Sequence, residues 1–219
     1  MLSIAYKWLG EETVHCLTLP DFLGYRKYKA TDDKPLIEAF LKVMNQADIL
    51  IGHNGDNFDF KKFQARLLKY DLDPPKPLKM IDTLKAARRV AKFPSNKLDD
   101  LGNILGIGRK LPHTGKLLWF QCMAGEEKAW RLMKRYNKQD VVLLERVYLK
   151  LRPFIPNHPN VSLLTRKTHC CPFCQSERYK ETGRYSYTRT RESPIYQCSE
   201  CRHYFQGKSE PLAIKIHHR

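Results

Sequence analysis

Two short runs near the C-terminal end, Cys171-Pro172-Phe173-Cys174 and Cys198-Ser199-Glu200-Cys201, carry a spacing that suits metal chemistry. Zinc takes four soft ligands in a tetrahedron at about 2.3 Å, and two CxxC turns present thiolates in that way. The runs are 23 residues apart, slightly beyond the usual range for this pattern. Residues 161–219 hold only seven Ile, Leu or Val in 59 positions, so a structural zinc must supply what burial cannot. Cys170 and His203 lie nearby as spare ligands, but neither belongs to a CxxC pair. Paired free thiols are the alternative. A second group consists of acids. Asp59 follows the apolar run Ile49-Leu50-Ile51-Gly52, at the mouth of a sheet where α/β proteins bind ligands. Tyr136 and Asp140, four apart in a helical stretch, share one face.

The elements that must hold these groups alternate. Ser3 to Leu9 and Thr13 to Leu19 read as an antiparallel hairpin around Gly10-Glu11-Glu12. The spacing of 36, 37, 40, 41, 43 and 44 predicts a helix over Pro35 to Ala47. A buried strand over 48–54 follows, then a helix from Phe60 to Tyr70 and a proline-bound loop over 73–77. Lys79 to Ile81 predicts a strand, with Asp82 capping a helix over 84–90. Leu98 to Leu105 is a further helix stopped by Gly106 and Gly108, and Glu126 to Leu151 reads as one helix or two. This alternation predicts an α/β domain over residues 1–151. Pro153, Pro156 and Pro159 predict an extended, semi-rigid linker over 152–168, and 169–219 form the cysteine module.

Between the knuckles, Tyr185, Tyr187, Arg189 and Arg191 recur at every second position. On one strand they share a face of rings and guanidinium groups, a surface suited to bases and phosphates. The other reading is a hairpin whose tyrosines only pack on the knuckles. Thirty-nine Lys and Arg against 23 Asp and Glu give a net charge of +16, which four thiolates and one Zn²⁺ lower to +14. Such a surplus points to a polyanion, most often nucleic acid, or to a basic surface that only aids solubility. The seven cysteines, odd in number and clustered, favour a reducing compartment and a metal over disulfides. No apolar run approaches the ~20 residues that span a bilayer, so no membrane partner is expected. Cys16 and Cys122 read as core residues.

Asn54-x-x-x-Phe58-Asp59 and Tyr136-x-x-x-Asp140 resemble the second and third motifs of the DEDD 3′→5′ exonuclease superfamily, in its tyrosine form. Met80-Ile81-Asp82-Thr83-Leu84 and Ser95-Asn96-Lys97-Leu98 are similar to the phage and bacterial branch, which implies the cytoplasm of a bacterial or phage-infected cell. The resemblance covers roughly residues 1–160. It implies a ribonuclease H-like mixed sheet flanked by helices. The tail resembles a zinc ribbon, a small β module used to hold nucleic acid or a protein partner. The chemistry implied is hydrolysis of phosphodiester bonds, of DNA ahead of RNA, by two Mg²⁺ or Mn²⁺ ions. Asp59 and Asp140 would be metal ligands, Tyr136 would orient the attacking water, and Asn54 and Phe58 would shape the pocket for the 3′-terminal nucleotide. Read without the resemblance, Asp59 caps its helix and Tyr136–Asp140 is a surface pair.

One family motif, the Asp-x-Glu of the first central strand, has no match here. Two divalent ions about 4 Å apart carry +4, and two aspartates leave +2 of that unbalanced. Weak or absent activity of this chain is therefore the expectation. Three explanations present themselves: an upstream start, which is the most economical; a partner chain that supplies the motif; or a nucleic-acid-binding module without catalysis. A protein scaffold built around the zinc ribbon is a third class of function.

Overall fold

The computed structural model describes residues 1–23, 32–112 and 114–212. Two compact units divide the chain, Met1–Leu151 and Arg152–Arg219.

In the first unit, β1 (Ser3–Tyr6) and β2 (His15–Thr18) pair antiparallel, with Ala5 opposite Cys16. This is the hairpin expected from the alternation around Gly10, with shorter strands. The chain continues into a short helix, α1 (Leu19–Leu23), then α2 (Lys34–Met44), with Pro35 in its first turn where no backbone donor is needed. β3 (Ile49–Gly52) leads to α3 (Asp59–Lys69), and β4 (Lys79–Asp82) runs parallel to β3, with Ile51 opposite Ile81 and Gly52 opposite Asp82. The parallel and antiparallel ladders together with the helices make the mixed α/β architecture expected of residues 1–151.

α4 (Thr83–Val90) and α5 (Leu98–Ile104) follow, then α6 (Lys116–Met123), a helix the sequence reading did not separate out. α7 (Glu127–Leu151) is one continuous helix of 25 residues. Its buried residues, Ala129, Trp130, Met133, Leu143, Val147, Tyr148 and Leu151, recur every three or four positions and form one stripe. That stripe packs against β1, α4, α5 and α6, so α7 is the spine of the unit. Trp130 and Met133 join Leu19, Leu36, Leu118 and Cys122 in one core cluster, while Ile37, Met44, Phe63 and Leu67 form another beneath α2 and α3. Each of these large side chains, fully buried, contributes roughly 1.5–3 kcal/mol of transfer free energy. No helix among the described residues is long and apolar enough to cross a membrane.

The second unit departs from the extended linker expected over 152–168. Arg152–Phe154 form a 3-10 turn and Val161–Thr165 a short helix, α8, capped by the Asn160 side chain. Ile155 and His158 are buried, because the prolines here bound turns that fold back rather than hold the chain straight. β5 (Tyr179–Tyr187) and β6 (Arg191–Cys198) form a hairpin, extended by β7 (Tyr204–Gln206) and β8 (Glu210–Pro211), both antiparallel to β6.

Candidate active site and metal centre

The C-terminal ends of β3 and β4 lie side by side, because Gly52 and Asp82 are ladder partners. Asp82 ends β4 and caps α4, its Oδ1 accepting from the backbone N–H of Leu84 at 2.9 Å. The same oxygen accepts from the backbone N–H of Asn54 at 2.9 Å, fixing the turn that leaves β3. Asn54 holds a left-handed conformation there (φ 60°), which asparagine tolerates better than most residues. Phe58 is more than half exposed and carries the Lys62 ammonium 3.6 Å above its ring.

Asp59 opens α3, yet no side chain caps that helix, so the capping alternative does not hold. Its carboxylate in the first turn still benefits from the positive end of the helix. Burial pushes the Asp59 carboxyl up, Lys62 and Lys110 draw it down, and Asp82 pushes it up again. Asp59, Asp82 and Lys110 therefore share one electrostatic environment.

The other half of the site comes from α7. Asp140 Oδ2 lies 2.7 Å from Lys110 Nζ, while Asp140 Oδ1 is buried with no hydrogen-bond partner. The Lys110 ammonium stands 5.6 Å from the centroid of the Tyr136 ring. Burial opposes its charge, but the bond to Asp140, the attraction of that carboxylate and the contact with Tyr136 together outweigh it and raise its pKa. The Tyr136 phenol is pushed up by burial and by Asp140, with Lys110 acting against them. Trp119 of α6 meets the Tyr136 ring edge to face at 6.4 Å. Tyr136 and Asp140 thus flank the charge of Lys110, and Asp59, far away in sequence, lies within its field. An open depression of about 510 Å³ is lined by Lys110 together with Asp99, Arg109, Leu111 and Pro112.

Lys110 and Trp119 escaped the sequence reading. Lys110 follows Gly106-Ile107-Gly108-Arg109, a run without periodicity, so nothing indicated which way its side chain would turn. Trp119 lies in α6, whose apolar residues surround the helix without a face.

A model of the RNase_H superfamily matches residues 10–152, most of the chain. The chain belongs to that superfamily. It is also similar to the DNA polymerase III PolC-type of Ureaplasma parvum serovar 3 (strain ATCC 700970), 42% identical over 71 residues. That stretch is 32% of this chain and only 5% of the polymerase. Nuclease chemistry on nucleic acid is the general character these likenesses support. Ribonuclease H-like nucleases use divalent cations. Asp59, Asp82 and Asp140, with one of them already paired to Lys110, do not fit a pair of such ions: at most three negative charges face four positive ones.

In the second unit the four expected cysteines come together. The Sγ atoms of Cys171, Cys174, Cys198 and Cys201 all lie within 4.8 Å of one another. Cys171, Cys198 and Cys201 are buried, with Phe173 and Phe205 packed against them. Cys171 and Cys201 stand 3.6 Å apart and Cys174 and Cys198 3.5 Å apart. The hydrogen bond between the first two pushes Cys171 up and holds Cys201 down at about 4, while burial pushes Cys174 up to about 11. Four sulfurs this close, in an apolar surround, fit a tetrahedral zinc. The spare ligands stand apart. His203 stacks on Phe173 at 3.6 Å and its Nδ1 meets the carbonyl of Arg152, and Cys170 donates to the carbonyl of Lys167.

The shared face of Tyr185, Tyr187, Arg189 and Arg191 does not form. β5 ends at Tyr187 and residues 188–190 turn, with the Thr188 N–H donating to the Arg191 carbonyl. Arg189 sits in that turn and Arg191 starts the next strand. Tyr187 lies opposite Glu192, so Arg191, one residue earlier, points to the other face. There its guanidinium is tied to Ser209 by Nε–Oγ and Nη2–O bonds of 2.9 and 2.6 Å. The exposed tyrosines instead neighbour Glu181, which pushes the Tyr185 phenol up, and Glu192.

Proposed function

We propose that this chain is the nucleic-acid-acting part of a 3′→5′ exonuclease-type nuclease of the tyrosine-type DEDD class, hydrolysing phosphodiester bonds of DNA ahead of RNA. What supports the reading is the placing of Tyr136 and Asp140 around the Lys110 ammonium, with Asp59 within the field of the same charge. In this reading Phe58 and Asn54 receive the 3′-terminal nucleotide, the half-exposed Phe58 ring stacking with a base and the Lys62 ammonium over it meeting a phosphate. The Tyr136 hydroxyl, raised in pKa and so protonated at neutral pH, orients the attacking water. Hydrolysis by these residues alone is weak, since the chain brings at most three acids to chemistry that uses Mg²⁺ or Mn²⁺ pairs. The cysteine unit acts as a zinc ribbon that helps to grip substrate or a protein partner.

The test is release of mononucleotides from a 3′-labelled single-stranded oligonucleotide in Mn²⁺. Slow release by the chain, abolished in Asp140→Asn, is the expected result. Equal release by the two proteins would defeat the assignment.

The Lys110–Asp140 ion pair favours a second reading, a nucleic-acid-binding module without turnover. It predicts salt-sensitive binding that persists in EDTA at the main domain, with no product at any Mn²⁺ concentration.

A further inference from the structure

Lys110 is not a loose surface lysine. Its backbone N–H donates to Asp99 Oδ1 at 2.7 Å, and the Arg109 guanidinium lies 3.4 Å from the other oxygen of Asp99. The carbonyls of Arg109 and Ile107 accept from Gln139 and Arg146 of α7, at 3.4 and 3.1 Å. The loop is thereby tied to α5 on one side and to α7 on the other. Gly108 is pressed so closely on α5 that a Cβ added at Gly102 would stand 2.5 Å from its carbonyl oxygen. The fold thus delivers one ammonium to Asp140 and within the field of Asp59, about one third exposed to solvent.

We propose that Lys110 is the resident cation of this site. It holds the position at Asp140 that a divalent ion would otherwise take, and it offers its remaining N–H donor to a phosphate of the nucleic acid. An ammonium has three donors; the bonds to Asp140 and to the Tyr136 hydroxyl use two. A divalent ion arriving at Asp140 must displace the lysine or accept a like charge beside it, so the two compete for one carboxylate. Binding of a 3′ end at this site is accordingly metal-independent, and metal binding is suppressed while Lys110 is in place. The inference rests on the reading that Asp59 and Asp140 line the nucleotide site, but its test does not need turnover.

The experiment titrates the zinc-loaded full chain with Mn²⁺ and follows the loss of the free-ion signal by electron paramagnetic resonance. Lys110→Met should bind one Mn²⁺ about tenfold tighter than the unaltered chain, or about 1.4 kcal/mol. Lys110→Arg, which keeps the charge, should stay with the unaltered chain, and Lys110→Met combined with Asp140→Asn should lose the gain. With zinc retained and no Mn²⁺ or Mg²⁺ added, Lys110→Met should weaken binding of a single-stranded oligonucleotide several-fold while Lys110→Arg retains it. Lys110→Gln carries the same tests if methionine disturbs the loop. Equal Mn²⁺ affinity with and without Lys110, or a gain that survives Asp140→Asn, would overturn the proposal. Failure to release nucleotides would instead count against hydrolysis and leave these titrations unaffected.

Discussion

Lys110 Nζ lies 2.7 Å from Asp140 Oδ2, thirty residues apart in sequence, and binds the loop after α5 to the spine helix α7. Both side chains keep some exposure, 32% and 22%, so solvent screens the pair. Lys110→Met should therefore cost only about 0.5–1 kcal/mol in urea unfolding at neutral pH. The folded pKa of Lys110 is raised, so its contribution is present below the unfolded value of about 10.4 and is lost as pH climbs through the folded one. The difference between the two proteins should be constant from pH 6 to about 9 and shrink above about 10.5. A difference that grows with alkalinity would show that the ion pair is not its source.

The cysteine unit makes a separate prediction. A strong zinc chelator should remove hydrogen-exchange protection from β5 and β6 while leaving that of α7 in place. Zinc binding and folding are one equilibrium in small modules, worth roughly 10–16 kcal/mol, and few aliphatic side chains are available to replace it. Cys174→Ser should have the same effect in milder form, and native mass spectrometry should find one zinc per molecule in the unaltered chain and less in the variant. Ligands must be thiolates, so release should be favoured by acid and suppressed by alkali. Retained protection after the metal is gone would mean that the hairpin stands on its own core.

How far the sequence reached can be judged from two patterns. The amphipathic stripe of α7 and the CxxC spacing depend on local geometry, and both appear where expected. The period of two across Tyr185, Tyr187, Arg189 and Arg191 was equally regular, but a turn at 188–190 interrupts it and reverses the face. Alternation describes a face only within one strand. The prolines at 153, 156 and 159 misled for a related reason: they fix φ locally and do not decide whether the chain then folds back. Lys110 was invisible because its placement depends on packing between Gly102 and Gly108, which no periodicity encodes.

Phe58 and Tyr187 offer a direct comparison of two exposed rings. A lysine covers the first and a glutamate stands opposite the second. Phe58→Ala should weaken single-stranded DNA binding by about 1–2 kcal/mol, the scale of one stacked base. Tyr187→Ala should change it little, since Glu192 repels phosphate. Fluorescence anisotropy at one fixed salt concentration would decide, and the opposite ranking would move the binding surface to the hairpin.

Gly102 tests whether the loop is held as rigidly as its contacts suggest. It lies in α5, where alanine has the better intrinsic propensity and would gain up to about 1 kcal/mol on an open helix face. Here a Cβ would meet the Gly108 carbonyl at 2.5 Å and Leu143 Cδ1 at 2.7 Å. The leucine can turn, but the carbonyl belongs to backbone that Arg146 and Asp99 hold in place through its neighbours. Overpacking of this kind costs about 1–3 kcal/mol, enough to outweigh the propensity gain. Gly102→Ala should therefore lower the urea midpoint, and by pushing the loop outward it should draw Lys110 away from Asp140. The second effect is separable from the first: Mn²⁺ affinity should rise in the same direction as in Lys110→Met. A variant that loses stability without that rise would locate the strain in α5 alone and leave the lysine where it stands.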